Sequence, residues 1–214
     1  MPEYLRIPVW LGFIGLFGGG LYKLVSVALL ARREKTVFPT LSLKYGLRSL
    51  GHWLLPFGGR TMQQRPVMTL VSWLFHGCLV VTPLFTRGHS VLLEQRWGLS
   101  WFSLPAALVD GLTLTVVFAC LFFLTRRLVA PEVRKVSGVR EFALVLLVMS
   151  PYLTGFFAHQ QWLPYEAMIV LHVVCGVLWL VAIPLTWLSH MLWFVFTRAY
   201  MGSEFGAVRH ARDW

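Results

Sequence analysis

The sequence predicts an all-α, polytopic membrane protein, a single bundle of five transmembrane helices. Three observations carry that reading. Of 214 residues, 57% are hydrophobic and 13% are charged, about half the roughly 25% charged content of an ordinary soluble domain. A water-soluble fold of this size could not hide so much apolar surface. Five segments reach the roughly 20 mostly apolar residues that a spanning helix needs. Finally, the formal net charge of +10 is concentrated in a few loops, as membrane topology requires and disorder does not.

The first span covers about 8–31. It follows a single basic residue, Arg6, and shows no small-residue cleavage site, so it reads as a retained helix and not a removed signal peptide. The stretch 36–65 differs. Lys44, Arg48, Arg60 and Arg65 alternate with Leu, Trp and Phe, broken by Pro39, Pro56 and Gly58-Gly59. This is the pattern of a broken amphipathic segment lying in the membrane interface. Spans two to five follow at about 67–91, 106–125, 141–158 and 166–197. Residues 1–214 form one integral membrane domain without an internal repeat.

Loops 32–66, 126–140 and 198–214 hold 15 of the 19 Lys and Arg residues. Arg6, Arg87 and Arg96 fall on the other side, and Lys23 lies within the first helix. The positive-inside rule then places the N-terminus outside and the C-terminus in the cytoplasm. Trp97, Trp101, Trp162 and Tyr165 sit where an outer aromatic belt belongs. Because the basic charge is spread over three loops without a nucleic-acid motif, nucleic acid is not an expected partner.

Cys78, Cys120 and Cys175 lie in apolar runs, and no CxxC or CxxCH is present. Covalent c-type haem and a cysteine-ligated iron–sulfur cluster are therefore not expected within this chain. The absence of a P-loop, GxGxxG or GxSxG removes the motifs of nucleotide chemistry and serine hydrolysis. Acidic, disordered and disulfide-scaffold classes are excluded by composition.

Histidine is the informative residue. His76 and His89 lie in the second span and His172 and His190 in the fifth, where ionisable side chains are costly and mark sites. Eighteen residues at about 100° each return His190 to the side of His172, on one unbroken helix. Depth matches the antiparallel pairs: His76 with His190 in the inner half, His89 with His172 in the outer half. Two imidazoles at one level on facing helices are what axial ligation of a b-type haem requires, and a helix bundle is a usual host. Two such haems would conduct electrons across the bilayer. His76 and His89, 13 residues apart, are about 140° out of phase on an ideal helix, so the outer pair needs a distortion. Thr82-Pro83 and Gly88 supply a place for it. His52 and His159 read as water-accessible histidines, His159 being the next candidate if His89 is not a ligand; His210 lies in a basic tail.

SWLFHGCLVVTPLFTRGH, the five spans and the spacing of His172 and His190 resemble the gamma subunit of respiratory nitrate reductase, a five-helix dihaem cytochrome b whose helix-2 histidines lie closer together. RSLGHWLLPFGGR, RPVMTLVSWLFH, VFACLFFLTRRL, APEVR, HQQW and TRAYMGSEFGAVRHARDW are similar to the cytochrome b subunits of the Tmc transmembrane redox complexes of sulfate-reducing bacteria, over nearly the whole chain. The resemblance implies a bacterial inner-membrane protein with two b haems. By motif match, His76 and His190 hold the inner haem and His89 and His172 the outer one. It further implies electron exchange with menaquinone, a periplasmic tetrahaem cytochrome c and a cytoplasmic iron–sulfur subunit. Such a chain is an electron-transfer subunit and not an autonomous enzyme.

Haem propionates are anionic, so Arg87, beside Gly88-His89, is a candidate partner for the outer haem, and Arg198 or Lys23 for the inner one. Glu94, Arg96, Asp110 and His159 are the polar groups near the outer level that a quinone could use, with Glu94 as the first choice for proton acceptor. The basic inner loops suit anionic lipid headgroups and equally the docking of an iron–sulfur partner. Two alternatives remain: a haem-free membrane anchor, and a histidine-lined divalent-metal transporter.

Overall fold

The computed structural model describes residues 3–214, and among them every regular element is helical. The longer helices are α1 (Arg6–Arg33), α2 (Leu43–Trp53), α3 (Arg60–Gln64), α4 (Pro66–Phe85), α5 (Arg87–Trp97), α6 (Ala106–Val129), α7 (Pro131–Arg134), α8 (Val139–Gln160), α9 (Tyr165–Leu185) and α10 (His190–Ser203). Five are long and apolar enough to cross a membrane: Glu3–Arg33, Pro66–Phe85, Ala106–Val129, Val139–Gln160 and Tyr165–Leu185. The chain is thus read as a multi-pass membrane protein. It divides into two compact units, one of Leu70–Trp179 with the described residues before Arg6, the other of Arg6–Thr69 and Leu180–Trp214.

In the first unit, α6 lies against α8. Its core is Cys78, Val116, Val117, Cys120 and Tyr152, surrounded by Phe75, Leu79, Leu112, Met149 and Trp179. Cys78 and Cys120 are free thiols that act as small apolar residues here.

The second predicted span, 67–91, does not continue as one helix. It stops at Phe85, Thr86 is extended (φ −71°, ψ 126°), and α5 starts afresh at Arg87. Proline explains the break. Pro83 has no N–H, so the carbonyl of Leu79 loses its helical donor; the Tyr152 hydroxyl donates to it instead, at 2.5 Å. The last four carbonyls of α4 all find donors, the first of them a regular helical N–H and the rest from outside the helix. Thr82 receives the N–H and hydroxyl of Thr86, and Pro83 receives Nδ1 of His89 at 2.8 Å. Leu84 receives Nε1 of Trp101 at 2.7 Å, and Phe85 the N–H of Leu104 at 3.0 Å. Bare carbonyls in hydrocarbon cost several kcal/mol each, so this complete set of donors is what lets a helix end there. At the far end of α5, Gly98 adopts φ +64° and returns its N–H to Glu94, a left-handed cap that favours glycine.

In the second unit, α2 packs along α10. The crossing is close: a Cβ on Gly202 would stand 2.6 Å from both Cβ of Ser49 and the carbonyl oxygen of Tyr45, so only glycine fits there. The segment 36–65 contains α2, whose outer face leaves Leu43 and Leu47 exposed while Gly46 and Ser49 are buried. The fifth span also breaks. Pro184 is buried near the end of α9, Thr186 is extended, and its Oγ1 accepts from the N–H of Leu188 to start a short 3-10 turn, Trp187–Ser189. The expectation of one unbroken helix over 166–197 is therefore corrected. His190 is the first residue of a new helix, and the argument that it shares a helix face with His172 lapses.

At the end of α1, Glu34 folds back on its own chain. Its carboxylate accepts from the N–H groups of Thr36, Val37 and Phe38 and from the Tyr200 hydroxyl. Desolvation pushes this carboxyl up, but the four hydrogen bonds outweigh it and hold its pKa at about 2.

Candidate histidine site

His89 and His172 come together in the first unit. Their ring centroids are 5.9 Å apart and their planes differ by 15°. His89 sits in the first turn of α5, where its Nδ1 is held by the Pro83 carbonyl, an acceptor freed by the end of α4. His172, on α9, is held through Nδ1 by the carbonyl of Pro151 on α8, also at 2.8 Å. A carbonyl on Nδ1 fixes that nitrogen as the donor and makes Nε2 the ligating atom. Space for the ring comes from Gly155, one turn beyond Pro151: a Cβ there would lie 3.0 Å from both Nδ1 and Cε1 of His172.

This donor set fits a haem iron. Two imidazoles binding one metal in line, with bonds of about 2 Å each, hold their ring centres roughly 6 Å apart. The observed separation meets that requirement. Among the described residues there is no cluster of three or more His, Cys, Asp or Glu that could hold a metal ion. A structural zinc ion would need four ligands, whereas a macrocycle supplies its own equatorial nitrogens and asks the protein for two axial ones.

His76 and His190 belong to different units and are described separately. His76, in the middle of α4, has Nδ1 on the carbonyl of Ser72 at 2.7 Å and an edge contact with Phe75. His190 has Nδ1 on the carbonyl of Trp187 at 2.9 Å. Both imidazoles are exposed on their helices and anchored to their own preceding turn.

Of the expected quinone-facing residues, two meet. Nδ1 of His159 is 3.0 Å from Oδ1 of Asp110, and Gln160 Nε2 donates to Oδ2 at 2.7 Å. His159 lies eight residues beyond Pro151 on α8, about 12 Å along the axis from the carbonyl that holds His172. Glu94 and Arg96 stay exposed on α5, as does Arg87 at its start. Asp110 is part of a membrane-length helix.

Arg198 has partners within the protein. It is buried, ion-paired to Asp213, bonded to Ser49 Oγ at 3.2 Å and stacked 4.2 Å from the Trp53 ring. These contacts engage the guanidinium that the sequence offered as a propionate partner. Lys23 is the remaining cation of that pair of candidates, its ammonium 6.0 Å from the ring of Trp193, one turn after His190. Reasoning from sequence missed Gly155, Gln160 and the proline carbonyls; Pro151 and Pro83 inside apolar runs were the available signal, because prolines there free acceptors.

No family model matches the chain, and no solved structure matches it. A protein of Nitratidesulfovibrio vulgaris (strain Hildenborough), whose name states no function, is 30% identical over 215 residues, spanning 98% of this chain and 95% of that one. Near-complete coverage at that identity makes the two chains homologues from end to end. The chain therefore belongs to the same family as this Nitratidesulfovibrio vulgaris protein.

Proposed function

We propose that the chain is a membrane dihaem cytochrome b, the electron-transfer subunit of a larger oxidoreductase complex. The observation that carries this reading is the His89–His172 pair: two imidazoles on separate helices, each fixed through Nδ1 and set at the separation that one iron needs. In this reading His89 and His172 hold one b haem, His76 and His190 hold the other, and Arg87 and Lys23 serve the propionates. The haems, when bound, supply one-electron Fe(III)/Fe(II) chemistry. The protein's own part is to fix ligand orientation, burial and local charge.

The reading extends to the surroundings. The basic loops face the cytoplasm of a bacterial inner membrane, with the N-terminus periplasmic. A periplasmic tetrahaem cytochrome c and a cytoplasmic iron–sulfur subunit are the partners, and menaquinone exchanges electrons with the outer haem. There the Asp110–His159 pair takes the proton that leaves a quinol hydroxyl, and Gln160 keeps the carboxylate oriented.

A reduced-minus-oxidised spectrum of the purified chain, with haem counted as its pyridine complex, tests the proposal. Two b haems per chain are expected. His89→Ala and His172→Ala should each abolish the same spectral component, and His159→Ala should keep both. A folded chain without haem overturns the reading in favour of a haem-free anchor.

A further inference from the structure

The segment after α10 closes over α2 and leaves a cavity of 250 Å³, bounded by Trp53, Arg60, Met62, Phe205, Arg212 and Trp214. Its wall is a paired network. Asp213 accepts from Arg198 and from Ser49 Oγ at 2.5 Å; Trp214 lies 4.0 Å from the His52 ring, with the Arg48 guanidinium 4.9 Å from its own. Two atoms of this wall, Nε1 of Trp53 and Oδ1 of Asp213, have no hydrogen-bond partner among the described residues. Buried polar atoms are rarely left so; both lie behind the cavity surface, where the indole N–H of Trp53 asks for an acceptor and the Asp213 oxygen for a donor.

Charge identifies what the cavity can hold. Arg60 and Arg212 are exposed at the cavity, and neither is ion-paired with an acid among the described residues. The only acidic side chain among the described lining residues, Asp213, is already paired with Arg198. The cavity is thus cationic and asks for an anion. Directly after Trp53, Leu54 and Leu55 are more than half exposed, at 57% and 58%, and Phe57 is also exposed. A cationic, tryptophan-lined pocket beside an exposed apolar strip suits a ligand with an anionic head and hydrocarbon chains.

We propose that this cavity is the headgroup site of an anionic glycerophospholipid. Its phosphodiester is held by Arg60 and Arg212, its acyl chains lie over Leu54, Leu55 and Phe57, and the lipid completes the junction between α2 and the segment 204–214. The assignment is independent of haem.

Native mass spectrometry of the delipidated full-length protein tests it, using an equal mixture of dioleoylphosphatidylglycerol and dioleoylphosphatidylcholine. A basic residue near a lipid surface is worth about fivefold in binding, so the pair predicts a roughly 25-fold preference for phosphatidylglycerol. R60Q/R212Q should lose that preference, while R134Q/K135Q, a basic pair on α7 and just after it, should keep it. Hydrogen exchange over 204–214 shows whether each variant is folded. Where the double variant fails to fold, R60Q and R212Q singly should each lose about fivefold. The proposal is overturned by equal binding of the two lipids, by a preference that survives R60Q/R212Q, or by one that R134Q/K135Q removes equally. Competition by glycerol-1-phosphate at lipid-like concentrations would make it a free phosphate-ester site. Displacement by an acidic peptide without lipid selectivity would make it a protein interface.

Discussion

The Tyr152 hydroxyl donates to the carbonyl oxygen of Leu79 at 2.5 Å, and Pro83 is the reason that carbonyl is available. The bond joins α8 to α4 next to the histidine site, where Tyr152 also meets Trp179 edge-on at 6.0 Å. Tyr152→Phe keeps the ring packing and leaves a buried carbonyl without its donor. A loss of about 1–3 kcal/mol is expected, read as a lowered thermal midpoint in detergent, with the haem count unchanged.

Gly155→Ala places a methyl group 3.0 Å from the His172 ring, so the imidazole must give by a few tenths of an ångström where it is held by the Pro151 carbonyl. On the proposed haem reading, the expected outcome is reduced occupancy or a shifted midpoint potential of one component, measured by redox titration. Gly111→Ala, whose added Cβ would meet nothing within 4 Å, should leave both components in place.

Arg198→Gln separates two roles that sequence alone could not. Breaking a buried ion pair costs on the order of 3–5 kcal/mol, so Asp213 should be released and 204–214 should exchange amide hydrogens faster. The haem spectrum should persist. Loss of one haem in Arg198→Gln with unchanged exchange over 204–214 would restore the propionate role.

Glu34 sets an acid limit. Its folded pKa is depressed from 4.5 to about 2, so its contribution is present above the unfolded value and is lost as pH falls through the folded one. Thermal midpoints of the wild type and Glu34→Gln should differ at pH 6 and converge between pH 4.5 and about 2.

The histidine pair was legible because depth along two antiparallel spans is a one-dimensional quantity that sequence contains. His89 and His172 could be matched by level without knowing helix rotation. The breaks at Thr86 and Thr186 were not equally legible. A proline within an apolar run signals a lost hydrogen bond, but whether the helix kinks or ends depends on donors that only the fold supplies, here Tyr152, Trp101 and the N–H of Leu104. Arg198 illustrates a different limit. An arginine at the end of a span satisfies a lipid phosphate, a propionate or a carboxylate alike, and its acid lies 15 residues away in a segment without hydrophobic periodicity. Asp110 went under-read because an acid four residues into an apolar helix resembles a helix-end charge until His159 is placed beside it.

The end of α4 at Phe85 gives His76 and His89 separate steering. On one continuous helix, a residue inserted before His76 would turn both rings together by about 100° relative to whatever precedes them. With Thr86 extended and the terminal carbonyls tied to residues up to Leu104, the orientation of His89 answers to the α4–α6 connection, and that of His76 to the helix before Pro83. Substitutions in either stretch can thus retune one ring while the other stays fixed, a freedom that two histidines on a straight helix do not have.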